Sequence, residues 1–545
     1  MAKITVAFTI TNKKFIGGET MKKICAGILC IIMLMSLLTA CSGAPAPENG
    51  AAEPAPAEVK ATQSDQIVIA RPVDCINMDP VMTGESYDIW VFDLSLEGLT
   101  KTSDDGKSIE PCLADSWDIS EDGLTYTFHL KEGLKFSDGT PVTGEDWVWS
   151  IKRARDTKES PWTGSAAAIK DVAAPDDKTL VITLSEPSAP FLSNLAMFNL
   201  RVQSKAHFDK VGEKGYVEGA IGTGPYMLSE WKKGEYMLLT KNPHYRNKDL
   251  PKTEKVKFVV VSDDDSRIMQ LQAKEVDIIL DIPFSSMANL DAMDGISAYG
   301  YESTQAKYLV LNTLNKKLSD VRVRQALRYA TDTQQMVDLI CYGYGEKAVS
   351  YMPKNGLYWN DQIKPAEYDP EKAKALLAEA GYPQGFELEF LVRSGNAVYE
   401  QIATIIKEQW SKVGIDVKLT TLETASLLAI QKKMEHEICI GSWSDDVNDP
   451  SQLNDYIWNY DSSMCFYTGY KNDEAEALNK AANKELDENA RKDAYFKLQE
   501  IEYEDVPLMS LYYSDFTVAM LDSVKGFVRT PLGNYRLENT VKIGN

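Results

Sequence analysis

Between residues 255 and 440 the chain alternates strand-like and helix-like segments, and three of the switches carry a capping signal. Residues 255–261 read as a strand, 266–274 as a short helix and 276–280 as a strand. Residues 320–331 carry Val321, Ala326, Leu327 and Ala330 at helical spacing. Asp369-Pro370 opens another helix, with Asp as N-cap and Pro in the first turn, and Gly381 closes it. A strand at 386–392, a long helix at 397–413 ended by Gly414, and strands at 415–422 and 437–440 complete the series. Alternation on this scale predicts an α/β fold, because crossover helices are what cover a largely parallel sheet. No repeat of 20–50 residues is present, which argues against solenoids and propellers.

Upstream the pattern changes. Residues 66–70 (QIVIA) read as a strand, and 117–130 read as a hairpin turned at Asp122-Gly123. Leu124, Tyr126, Phe128 and Leu130 share one of its faces. A second Asp-Gly turn follows at Asp138-Gly139, and Thr143 to Asp146 has capping-box spacing before a helix running to about Asp156. At 545 residues the chain is long enough for two to four domains.

The N-terminal end is of a different kind. Residues 1–40 hold five lysines and one acid, and residues 24–37 form an apolar run of fourteen residues preceded by Met21-Lys22-Lys23. That run is too short for a spanning helix, which needs about 20 residues, and has the proportions of a signal-peptide core. Met21 is an alternative start. Leu38-Thr39-Ala40-Cys41 then resembles a bacterial lipobox, which implies cleavage before Cys41 and lipid on its thiol. Residues 41–65, with no aromatic residue and much Ala, Pro and Glu, read as a disordered tether. The remainder is strongly acidic, the whole chain carrying a net charge of −22, so nucleic acid is a poor partner. Five cysteines (Cys75, Cys112, Cys341, Cys439, Cys465) lie beyond Cys41, an odd number, so at least one is free or paired between chains; so few in a chain this long exclude a disulfide scaffold.

Catalytic motifs are missing. His436-Glu437 begins like a zinc-protease motif, but Ile440 stands where the second His belongs. There is no GxSxG, no phosphate-binding loop and no dinucleotide fingerprint. Asp263-Asp264-Asp265 lacks the Gly and the distal Glu of a calcium loop and reads as a solvated loop. No metal site, catalytic residue or cofactor is expected.

Several segments together resemble the peptide-binding proteins of bacterial ABC importers, the dipeptide- and oligopeptide-binding group of solute-binding protein family 5. Residues 111–149, containing ADSWDISEDGLTYTFHLKEGLKFSDGTPVTGEDWVW, look like that family's signature stretch. Gly222-Thr223-Gly224-Pro225-Tyr226, residues 321–330 (VRVRQALRYA) and residues 368–381 (YDPEKAKALLAEAG) match further blocks. The resemblance implies a bilobal, periplasmic-binding-protein-like α/β fold with three subdomains and a hinged ligand cleft. Mapped here, lobe 1 comprises a main subdomain (66–98, 222–313 and 523–545) and a second subdomain (99–221), and lobe 2 spans 314–522. It also implies a monomer outside the cytoplasm, anchored to the membrane through Cys41, that hands a peptide to the permease subunits of an ABC transporter.

By the same resemblance, Asp446 is the acid for the ligand's α-ammonium, with Asp445 beside it. Arg393 is the partner for a carboxylate, at a position where dipeptide-binding members carry Arg. Ser442 and Ser444 would offer backbone groups, and Trp443 would shape a side-chain pocket. Thr83, Gly84, Glu85 and Tyr87 match, loosely, a strand on the opposite side of the cleft, where Glu85 disfavours acidic ligand side chains. Relatives of other specificity carry nickel complexes, haem or oligosaccharides. A nickel site would look to His436, and sugar stacking to Tyr344, Tyr351 and Trp359. A secreted hydrolase is the alternative of another class, for which the motifs above offer nothing.

Overall fold

The computed structural model describes residues 64–544. The signal segment, Cys41 and most of the tether lie outside the described residues. The last two tether positions belong to the folded body: the Ser64 amide donates to the Lys542 carbonyl at 3.0 Å, and Lys255 N–H donates to the Asp65 carbonyl at 2.9 Å.

The central element is an eleven-stranded mixed sheet. From one edge its order is Ile415–Leu422, Phe386–Arg393, Ile438–Trp443, Ile296–Leu311, Leu508–Leu521, Ile278–Leu280, Gln66–Arg71, Lys255–Val260, Tyr236–Lys241 and Tyr226–Lys232, with Gly345–Lys347 branching from Leu508–Leu521. Parallel pairs join Phe386–Arg393 to both of its neighbours and Gln66–Arg71 to both of its own. The expected strands and helices form, among them the capping box of Thr143 and Asp146 and the N-cap of Asp369.

Two long antiparallel strands, Ile296–Leu311 and Leu508–Leu521, each contribute to different cores at their two ends. Ile296, Val518 and Met520 pack with Ile67, Trp90 and Phe258. At the other end Leu309, Leu311, Met509 and Leu511 pack with Leu327, Phe390 and Trp410. Tyr308 and Val310, one residue out of phase and so on the opposite face, pack with Tyr351, Leu453 and Trp458. That half of the sheet is therefore covered on both faces. Between the two ends the ladder is interrupted: Tyr301 pairs with Phe516 and Gln305 with Ser514, leaving Glu302, Ser303, Thr304 and Asp515 out of register.

A separate four-stranded antiparallel sheet (Ala114–Ile119, Thr125–Leu130, Thr179–Leu184, Ile169–Asp176) and the helix Gly144–Asp156 enclose a further core around Phe128, Trp147, Leu180 and Phe191. All five cysteines of the body are buried and unbonded to one another.

Three expectations need correction. The acidic run is no solvated loop: Asp263 caps the helix Asp264–Gln272, accepting from Ser266 N–H at 2.8 Å, and Asp264 and Asp265 sit in its first turn, where negative charge meets the helix dipole. The strand expected to stop at residue 440 continues to Trp443, because Gly441 lets the Tyr308 ring lie against its backbone; a Cβ there would meet that ring at 2.5 Å. The segment matched to a strand at Thr83–Tyr87 is extended only as far as Glu85, the N-cap of the helix Ser86–Ser95.

Candidate functional site

The strand Ile438–Trp443 runs parallel to Phe386–Arg393, so Trp443 and Arg393 both lie at C-terminal strand ends, the usual ligand edge of an α/β sheet. The loop after Trp443 carries three aspartates before the helix Ser451–Trp458, and they differ sharply. Asp449 is buried and gripped bidentately by Arg491 at 2.6 and 2.7 Å; against its desolvation, that guanidinium holds its carboxyl below the ordinary range. Asp445 is buried with only a neutral donor, Trp443 Nε1–H at 2.8 Å, and desolvation pushes its carboxyl up to about 8. Asp446 is half-buried with only the Gln452 amide at 3.1 Å, and desolvation pushes it up to about 7. Neither has a cation within 4 Å among the described residues.

Neutral polar atoms around this pair are also unsatisfied. Ser444 Oγ, Asn448 Oδ1 and Gln452 Oε1 are buried without a hydrogen-bond partner among the described residues. The loop is held from below, where Asp445 N–H donates to Thr304 Oγ1 at 2.9 Å, inside the interrupted stretch of the long strands.

The facing wall belongs to the other end of those strands. The helix Ser86–Ser95 presents Ile89 and Asp93, which line a small cavity with Phe198, Arg201, Arg536 and Asp446. Asp93 is buried between two guanidiniums, Arg201 and Arg536, and despite desolvation its carboxyl is lowered. Asp446 thus faces an acid that is already neutralised.

The other anticipated residues separate into two groups. Arg393 is exposed at its strand end and makes no ion pair within 4 Å among the described residues. It lies near Glu85: desolvation and Asp88 raise the Glu85 carboxyl, and Arg393 partly offsets them. Gly84 and Glu85 are exposed, and nothing approaches a Cβ built on Gly84 within 4 Å. Ser442 is exposed and accepts from Tyr399 O–H at 3.1 Å; the Trp443 ring packs on Tyr456 at 5.3 Å. By contrast, Thr83 and Tyr87 are committed internally. Thr83 Oγ1 donates to Asp88 at 2.6 Å, and Tyr87 O–H donates to Asp281 at 2.6 Å.

Of the candidates for other ligands, the aromatics are engaged within the fold, whereas both His436 ring nitrogens are buried without a hydrogen-bond partner among the described residues. His436 is buried and its imidazole is pushed down to about 4 by burial. Tyr351 is fully buried and bonded to Asn454, Tyr344 stacks on Phe284, and Trp359 donates to Tyr513. No group of three or more His, Cys, Asp or Glu placed to hold a metal exists among the described residues. Asp93, Arg201, Arg536, Thr304 and Gln452 were not anticipated; Asp93 and Arg536 stand 443 positions apart, and no local motif joins them.

Comparison with known proteins follows this geometry. The family of bacterial extracellular solute-binding proteins, family 5 Middle, matches residues 108–464. The chain belongs to solute-binding protein family 5. Its relatives include the probable D,D-dipeptide-binding periplasmic protein DdpA of Escherichia coli, 30% identical over 87% of this chain and 93% of the relative. They also include heme-binding protein A of Haemophilus influenzae, 30% identical over 78% and 82% of the two chains. Among solved structures, the periplasmic binding protein DppA from Helicobacter pylori in complex with the peptide STSA superposes with a TM-score of 0.77 at 30% identity, covering 88% of this chain and 98% of that one. The mixed α/β architecture is that of family 5 binding proteins, which serve transport.

Proposed function

We propose that this solute-binding protein captures peptides by their α-ammonium between the Asp445–Asp446 loop and the Asp93–Arg201–Arg536 wall, and delivers them to an ABC importer. The observation that carries the reading is two desolvated carboxylates without a cation, surrounded by unsatisfied acceptors. Without a partner the burial cost pushes both groups toward their neutral form, and an ammonium supplies the charge and donors that would hold them ionised. Relatives named for dipeptides support the same ligand class. Haem, named for another relative, fits less well, because its propionates would meet like charge here.

In this reading the two long strands are the hinge between lobes. The chain then crosses between lobes along these strands, and residues 302–304 and 515, beside which side chains change core, are the points at which they bend. Arg393 takes the carboxylate of a short peptide, and Cys41 carries the lipid anchor at the membrane.

The test is a thermal-shift panel of di- to hexapeptides on protein stripped of copurified ligand. Binding at one hundred times Kd stabilises by about 2.7 kcal/mol. A shift with haem, a nickel complex or a sugar, and with no peptide, overturns the reading.

A further inference from the structure

Beside the Asp446 loop lies a second and larger space. It is a cavity of about 580 Å³, within the range of small-ligand pockets. Its inner wall is one face of the helix Ser451–Trp458: Gln452, Asp455, Tyr456 and, just past the helix, Asn459 recur at the 3, 4 and 7 spacing of a single face. Its outer wall is built by Trp162, Ser165, Asn194 and Met197. A strap closes the rim, where Ala189 N–H donates to the Asn483 carbonyl at 2.9 Å and Lys484 pairs with Glu186 at 2.6 Å. Gln452 connects the two spaces, since the side chain that lines this cavity also bonds Asp446.

The charge inside the cavity is uneven. Asp455 accepts from the amides of Asn479 at 2.7 Å and Asn483 at 2.8 Å, and has no cation within 4 Å among the described residues. Desolvation raises its carboxyl; Asn479 and Asn483 counter that, Asp449 adds to it, and Lys480 contributes only the weakest opposing effect. Asp449 is itself neutralised by Arg491. The two lysines at the cavity are exposed and already paired, Lys480 with Glu476 and Lys484 with Glu186. What remains on the helix face is one carboxylate without a counter-ion, one turn or about 5 Å beyond Gln452. Trp162 and Tyr456 line the same cavity, surfaces suited to an alkyl stem and a cation.

We propose that this chamber receives the side chain of the ligand's first residue and favours a long cationic one, lysine or arginine, with Asp455 as its counter-charge. The inference rests on the peptide reading above: the α-ammonium at Asp446 leaves the first side chain beside Gln452, at the mouth of the chamber.

Titration calorimetry of ligand-stripped protein with X-Ala-Ala tripeptides tests it, X being lysine, norleucine, alanine or glutamate. The lysine peptide should bind at least about tenfold more tightly than the norleucine peptide, and the glutamate peptide most weakly. Asp455→Asn should erase the lysine advantage and leave the alanine peptide within about twofold of wild type. Equal binding of lysine and norleucine peptides to the wild type overturns the proposal, as does an advantage that survives Asp455→Asn. If that variant does not fold, the wild-type ranking decides alone. If none of the four tripeptides binds, the peptide reading itself fails; if the alanine peptide binds and lysine gains nothing, only the chamber assignment falls.

Discussion

Asp93 and Asp446 line the same small cavity from opposite walls, and their surroundings could hardly differ more. Asp93 is locked between Arg201 and Arg536, whereas Asp446 has one neutral amide. Burial penalises both, but only Asp93 is compensated within the chain, so its carboxyl is lowered while that of Asp446 is raised. The contrast separates an acid whose charge is balanced within the chain from one that the fold leaves without an ionic partner.

Substitution should expose this most strongly at Asp93. Asp93→Ala leaves buried Arg201 without an acid and Arg536 with Asp104 alone, and should destabilise the protein by about 3 kcal/mol in urea denaturation. Asp446→Ala should do the reverse, leaving the empty protein as stable as wild type or more so, while weakening peptide binding by about 2–5 kcal/mol in calorimetry. A loss of stability at Asp446 comparable to that at Asp93 would erase the distinction.

The pH responses should also diverge. Asp446 and Asp445 have folded values raised to about 7 and about 8, so their contribution is fully present below the unfolded carboxyl range and is lost as pH rises through those values. The ligand-free protein should therefore weaken between pH 5 and pH 8, and Asp446→Asn should flatten part of that slope. The Asp93 contribution, from a lowered carboxyl, is present above the unfolded value and is lost only as acid takes pH down through the folded one. At pH 6 peptide binding should release protons from the Asp446 side, seen as a dependence of the calorimetric heat on the ionisation enthalpy of the buffer.

Smaller effects are expected further out. Arg393 is exposed, so Arg393→Ala should cost about 1 kcal/mol, and more for dipeptides than for hexapeptides. Glu186→Gln loosens the strap at the rim and should speed ligand release by about twofold or less, the equivalent of a few tenths of a kcal/mol.

Much of this molecule could be read from local signals, because caps and turns are local physics. Asp369-Pro370, Gly381 and Gly414 mark helix ends wherever they occur, and the structure uses them so. The acid loop was legible for a related reason: it is continuous in sequence, from Trp443 to Asp449. The facing wall was not, since Asp93, Arg201 and Arg536 meet only after folding. The helix Ser86–Ser95 misled in another way. Every residue from Asp88 to Ser95 is buried, so no polar face remains to give the 3.6-residue period that distinguishes a helix from an extended run. Gly441 looked like a strand end because the aromatic ring that requires it, Tyr308, lies more than a hundred residues away.

Thr304 ties the acid loop to the interrupted stretch of the long strands. Its hydroxyl receives the Asp445 amide, and its own amide donates to the Pro531 carbonyl at 2.9 Å, so one residue links the acid loop to the C-terminal segment. Under the proposed hinge, movement of the long strands at Thr304 would carry the Asp445 backbone with it. If the long strands hinge and Asp446 takes the ammonium, as proposed above, grip on the ligand and angle of closure become a single coordinate.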